Sequence, residues 1–280
     1  MTVISLGSLF LRFRWRISLT LTLVIVESLL EVLYPLLIGF AINDLLAERY
    51  DGLVHLGMLG VFSVLIGSAR RYYDTRIYSG IYRQVAVELV EREQAAGTSV
   101  SRTSAHTNLL TEVVDFLEDT MPELIGALVA VVGILAVTVG LSVPVFLGCL
   151  ALLLLVLLVY TITAGRNYRL NAGYNNQYEK AIDAIASRRR DRLTNHFHRL
   201  MQWNVRLSDL ETLNYAVFWI GAVALLLFTP YSAISAGVLE YGLVFSLQLY
   251  AFEFIGWLSD LPLHIQQVIR LREISKRLTG

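Results

Sequence analysis

The chain has 280 residues, of which 55% are hydrophobic and 16% charged, with 23 basic residues balanced by 23 acidic ones. A mean hydropathy of +0.58 is more apolar surface than one soluble core of this size can hide. Composition therefore excludes an ordinary water-soluble domain and predicts an all-α polytopic membrane protein, because a helix satisfies its own backbone hydrogen bonds in lipid.

In chain order, Phe10, Arg12, Phe13, Arg14, Trp15 and Arg16 come first and suit an interfacial entry segment, with rings at the lipid boundary and charges among headgroups. A helix needs about 20 mostly apolar residues to cross about 30 Å of hydrocarbon. Six stretches qualify: 17–42, 53–69, 124–141, 145–164, 213–234 and 238–258. The first is too long for a signal peptide core and lacks a small-residue cleavage site, so it is expected to remain as a span. The connections alternate short, long, short, long, short, the long ones being 70–123 and 165–212. Of the 23 basic residues, 22 fall before the first span, after the last or in the long connections, and Arg49 alone falls on the other side. That asymmetry predicts a multi-pass protein of the plasma (inner) membrane with both termini cytoplasmic.

The long connections read as helix. Ile77, Ile81, Val85 and Leu89 recur every fourth residue with Tyr78 and Tyr82 beside them, and Glu88 is spaced to pair with Arg92. Residues 70–95 thus extend the second span by roughly 40 Å. Gly97-Thr-Ser-Val-Ser-Arg-Thr-Ser is expected to turn the chain, with a returning helix from about Asn108. Residues 166–203 have the same helical spacing and no Pro, giving a second cytoplasmic hairpin.

Six spans, two long intracellular hairpins and the first-span ending Tyr34-Pro-Leu-Leu-Ile-Gly-Phe-Ala-Ile-Asn-Asp44 resemble the transmembrane domain of an ATP-binding cassette (ABC) exporter of the type IV six-helix fold. Thr107-Asn-Leu-Leu-Thr-Glu-Val-Val-Asp115 resembles the segment that re-enters the third helix in that family, and the likeness covers essentially the whole chain as one domain, 1–280. The resemblance implies a domain-swapped homodimer in which the fourth and fifth helices cross to the partner and the first and sixth contribute to a central cavity.

Two departures stand out. Nowhere in the 280 residues is there a Gly-x-x-x-x-Gly-Lys-Ser/Thr phosphate cradle, and neither Lys180 nor Lys276 follows a Gly, so no ATPase is expected in the chain itself. Val100-Ser-Arg-Thr-Ser-Ala-His106 replaces the family's aromatic-Asp segment, and the second hairpin is expected to lack length around residues 184–195, where docking helices normally sit.

Charge inside a span costs several kcal/mol unless it faces protein or water. Glu27 and Glu31 lie one turn apart in the first span, with Tyr34 next on their face. Tyr250, Glu253, Trp257, Asp260 and His264 form a stripe along the sixth. If both stripes face a shared cavity, the carboxylates bind or select a cationic small molecule or ion and exchange protons, and the aromatic rings add cation–π attraction. The bland alternative is a structural ion pair with Arg70 or Arg71, and a boundary position for Asp260 and His264.

The remaining features predict little chemistry. Cys149, the single cysteine, sits in the fourth span and suits packing. His196 and His198, two apart on a helix, point different ways and make a poor metal chelate. Arg188, Arg189, Arg190 and Arg192 suit a solvated tip, with contact to anionic lipid headgroups as the alternative. No catalytic motif is present, so no enzyme, no cofactor and no nucleic-acid partner are expected, and whether a metal ion is bound stays open. Three functions remain: a homodimeric carrier or channel moving a cation without its own ATPase, a membrane subunit driven by a separate ATPase chain, or a non-transporting membrane scaffold.

Overall fold

A computed structural model describes the backbone of residues 6–237 and 240–279, and the side chains of 7–237, 240–263 and 267. Among the described residues all regular structure is helical, and six helices are long and apolar enough to cross a bilayer. A short α1 (Leu6–Arg12) leads into α2 (Arg14–Leu46), and α3 (Asp51–Ala95) is followed by α4 (Val100–Asp115). A π-helical turn (Phe116–Thr120) joins α4 to α5 (Met121–Leu141). Then come α6 (Val143–Glu179), the short α7 (Ala181–Ala186), α8 (Arg190–Ser235) and α9 (Tyr241–Thr279). The chain divides into two compact units, Met1–Val143 with Ala233–Gly280, and Pro144–Ser232.

In the first unit, α3 runs unbroken for 45 residues, so the second span and the stretch predicted to extend it are one helix. Its polar-looking distal half is held by the predicted apolar row, with Tyr78 fully buried where Ile77 was expected and Ile77 only partly buried. Tyr78, Ile81, Val85 and Leu89 are buried against Leu9, Phe13 and Ile17 from the chain start, and against Leu110, Val113, Val114 and Leu117 from the returning helix. Burying such side chains is worth about 1.5–3 kcal/mol each, enough to fix a helix outside lipid.

Two local expectations are corrected. The turn after α3 is shorter than the Ser/Thr-rich sequence implies, and the returning helix begins at Val100 instead of near Asn108. Ser and Thr ordinarily compete with helical backbone, but here Thr103 and Thr107 donate to the carbonyls of Ser99 and Thr103, at 3.3 and 2.9 Å, and remain helical. Glu88 pairs with Arg12 instead of Arg92, through two bonds of 2.6 and 2.7 Å. A fork-on-carboxylate pair from another helix outcompetes a neighbour on the same helix, because its two parallel bonds are charge-assisted.

Helices α2 and α9 approach so closely that a Cβ at Gly39 would overlap the Gly242 carbonyl and the Ser246 hydroxyl. Such small-residue contact is how helices associate in lipid, where apolar burial gives little drive. Pro35 lies inside α2 and removes one backbone donor. Around it α9 supplies side-chain donors, Ser246 Oγ to the Pro35 carbonyl at 2.6 Å and Tyr250 Oη to the Val32 carbonyl at 2.7 Å. Asn43 closes the end of the pair, accepting from the Gly242 N–H and donating to Glu240, both at 2.8 Å.

The second unit follows the same rule of small-residue contact. Gly148 lies against Leu225 and Phe228, Gly221 against Leu152 and Leu155, and Gly173 against the Trp203 ring. Cys149 is buried, the environment predicted for it. In the second hairpin α7 occupies residues 181–186 and exposes Ile182 and Ile185. Arg188 then turns the chain with φ of 50°, and Arg189 pairs with Asp191 at 2.7 Å on a solvated tip. His196 and His198 face different glutamines, Gln177 and Gln202, each at 3.0 Å.

Candidate functional site: an acidic cavity in the first unit

A cavity of about 580 Å³ opens among α2, α3, the π-helical turn, α5 and α9. Its wall carries six carboxylates, those of Glu27, Glu31, Glu118, Asp119, Glu123 and Asp260, and two guanidiniums, those of Arg70 and Arg71. Of the eight residues of the predicted stripes, Glu27, Glu31, Trp257 and Asp260 line it.

Glu27 lines the cavity but is not a free carboxylate. Arg70 Nε donates to its Oε2, and Arg71 Nη2 stands 3.9 Å from its Oε1. The seat for this carboxylate is Gly67, where a Cβ would lie 2.8 Å from Glu27 Oε1 and 3.2 Å from Arg71 Nη1. Arg70 also reaches Asp74 at 3.2 Å, and Asp74 accepts from Thr20 Oγ1 at 2.7 Å. Asp74 and Thr20 are buried, so the pair is the solvent-facing end of a network running into the α2–α3 contact. The ion-pair alternative drawn from the sequence thus describes the geometry of Glu27.

Glu31 lines the cavity one turn along α2 and takes no ion pair among the described residues. Trp257 and Asp260 line the α9 side, with Ser259 Oγ donating to Asp260 Oδ1 at 3.2 Å. Glu253 is half-buried and outside the lining, though within electrostatic reach of Glu31. Tyr34 is half-buried and also outside it. Tyr250 departs furthest from the predicted stripe: it is fully buried, and its hydroxyl is spent on the α2 backbone. The side chain of His264 lies outside the described residues.

Sequence reasoning missed Glu118, Asp119 and Glu123. They precede the apolar part of the third span and look like ordinary juxtamembrane charge. The π-helical turn Phe116–Thr120 changes their meaning, since one extra residue per turn swings Glu118 and Asp119 onto the cavity wall. Such turns cluster at functional sites, and no periodicity rule reveals one in advance.

Chemically, carboxylates and an indole face are groups that attract cations, and the two guanidiniums on the same wall are groups that attract anions. Helical spans around a charged, solvent-open cavity define a polytopic membrane protein of the transport class. A family model described as ABC transporter transmembrane region matches residues 6–237, and the chain belongs to that family. No curated protein matches the sequence.

Proposed function

We propose that the chain is the membrane-spanning half of a homodimeric transporter that moves a cation, inorganic or organic, through the acidic cavity, in a plasma (inner) membrane with both termini cytoplasmic. The observation that carries this is the cavity itself, where six carboxylates face two guanidiniums and both guanidiniums lie within ion-pair distance of Glu27. Glu31 and Asp260 are the carboxylates of the predicted stripes that remain available to cargo, with Trp257 between them as an aromatic wall. Glu27 serves the frame of the site, and Tyr250 the frame of α2 and α9.

The test is cation flux into proteoliposomes containing the purified protein. Replacing Glu31 and Asp260 together, E31Q with D260N, is expected to lower flux at least about tenfold while the protein still assembles, since both groups lie on the wall and neither holds an ion pair among the described residues. Flux unchanged by the double variant removes the acidic wall from the pathway.

A second reading, coupling to an ATPase supplied by another chain, is favoured by α7, which exposes Ile182 and Ile185 at the start of the stretch, around 184–195, where the resemblance places docking helices. It predicts vanadate-sensitive transport and recovery of a nucleotide-binding chain from a gently solubilised complex. Transport that runs on an ion gradient with no nucleotide present selects the carrier reading instead.

A further inference from the structure

Arg70 lines the same cavity as the carboxylates a cation would seek, and it is held at both ends of its guanidinium, by Glu27 on α2 and by Asp74 on its own helix. The two contacts are unequal in environment. Asp74 is buried and already braced by Thr20, whereas Glu27 faces the cavity. Removing one partner of a buried ion pair is expensive because it strands a charge. Arg70 escapes that penalty at Glu27, since Asp74 would still hold it. Gly67 leaves the Glu27 carboxylate a notch beside the arginines, so its position is built and not incidental.

Resting on the acidic-cavity reading, we propose that Arg70 is a tethered competitor for the transported cation: it occupies Glu27 when the cavity is empty and retreats to Asp74 when a cation takes its place. Cargo binding is then linked to release of an α2–α3 contact, because Glu27 belongs to α2 and Arg70 to α3. Glu27 is neutralised when the cavity is vacant, and its share of the affinity is set by the exchange instead of by its raw charge. A tether of this kind lowers affinity by the fraction of time Glu27 is occupied, as any competing state does.

The probe is tetraphenylphosphonium, an aromatic monocation suited to Trp257, titrated by calorimetry against the full chain in zwitterionic-lipid nanodiscs. Arg70→Gln is expected to tighten binding about tenfold, and Asp74→Asn, which leaves Arg70 with Glu27 as its remaining carboxylate, to weaken it about fivefold. Loss of positive charge alone would also tighten binding, so the deciding comparison is made in a Glu27→Gln background, where Arg70→Gln should have no further effect. A gain that persists in that background, or Arg70→Gln binding no tighter than the parent, overturns the competitor role. If Arg70→Gln does not assemble, Asp74→Asn decides, and unchanged or tighter binding overturns the proposal. Failure of the parent reading looks different: binding that is absent in every protein, or indifferent to Glu31→Gln, defeats the acidic cavity and this inference with it.

Discussion

The two compact units are built on the same helical scale and differ in what their spans carry. The predicted spans of the second unit, 145–164 and most of 213–234, contain no Asp, Glu, Lys or Arg, and its helices meet through glycines set against Leu, Phe and Trp side chains. The first unit also packs through glycine, at Gly39 and Gly242, yet it keeps Glu27, Glu31, Glu253 and Asp260 in or beside its spans and gathers three of them at a cavity. In lipid, small residues bring backbones together and charge is retained where it has work or a partner. The contrast teaches that packing can be uniform across a membrane fold while chemistry is concentrated in one part of it.

The contrast is broken most severely by Gly39→Val. The side chain has no room beside the Gly242 backbone, so α2 and α9 must part, with an expected loss of about 3 kcal/mol. Thermal unfolding in detergent reads this as a large fall in Tm, and an unchanged Tm contradicts the close approach. Next in size is Glu27→Gln, which removes one of the two carboxylates that hold Arg70 while Asp74 keeps the other contact, and is expected to cost about 1.5 kcal/mol. Glu31→Gln, one turn away and without an ion pair among the described residues, should change stability by less than about 0.5 kcal/mol. Equal effects from the two would erase the distinction drawn between frame and wall.

Trp203→Ala sharpens the comparison from the other side. It removes the ring packed on Gly173 in the second unit and should destabilise by about 1–2 kcal/mol, the ring being half-exposed, while leaving cation selectivity as it was. A selectivity change would mean that the second unit shapes the pathway. The smallest effect expected is a gain: Arg188→Gly relieves a left-handed backbone at φ of 50° on an exposed tip and should stabilise by roughly 0.5 kcal/mol in the same melt.

Much of this fold was legible beforehand. The spans, the unbroken continuation of α3 and its buried row at Ile81, Val85 and Leu89 followed from hydropathy and a four-residue spacing. The start of α4 was read too late, because Ser and Thr were taken as turn formers when their hydroxyls instead bond back along the helix. Of the proposed stripe residues, Glu27, Glu31, Trp257 and Asp260 meet at one cavity. Tyr250 lies buried apart from them, its hydroxyl donated to the Val32 carbonyl of α2, a contact that a stripe cannot show. Glu118 and Asp119 escaped notice because their orientation depends on a π-helical turn, and Glu88 was given the wrong arginine because Arg12 is 76 positions away.

The sequence by itself determined that this protein is helical, crosses the membrane several times and sets its charges apart from its apolar stretches. Those properties are sums over neighbouring residues, and a one-dimensional string contains them. Only the tertiary structure decided which carboxylate is paired with arginine, which lines the cavity without an ion pair among the described residues and which tyrosine bonds to a neighbouring backbone. Each of those outcomes depends on a partner supplied by a different helix, at a distance of a few ångströms that no spacing along the chain encodes.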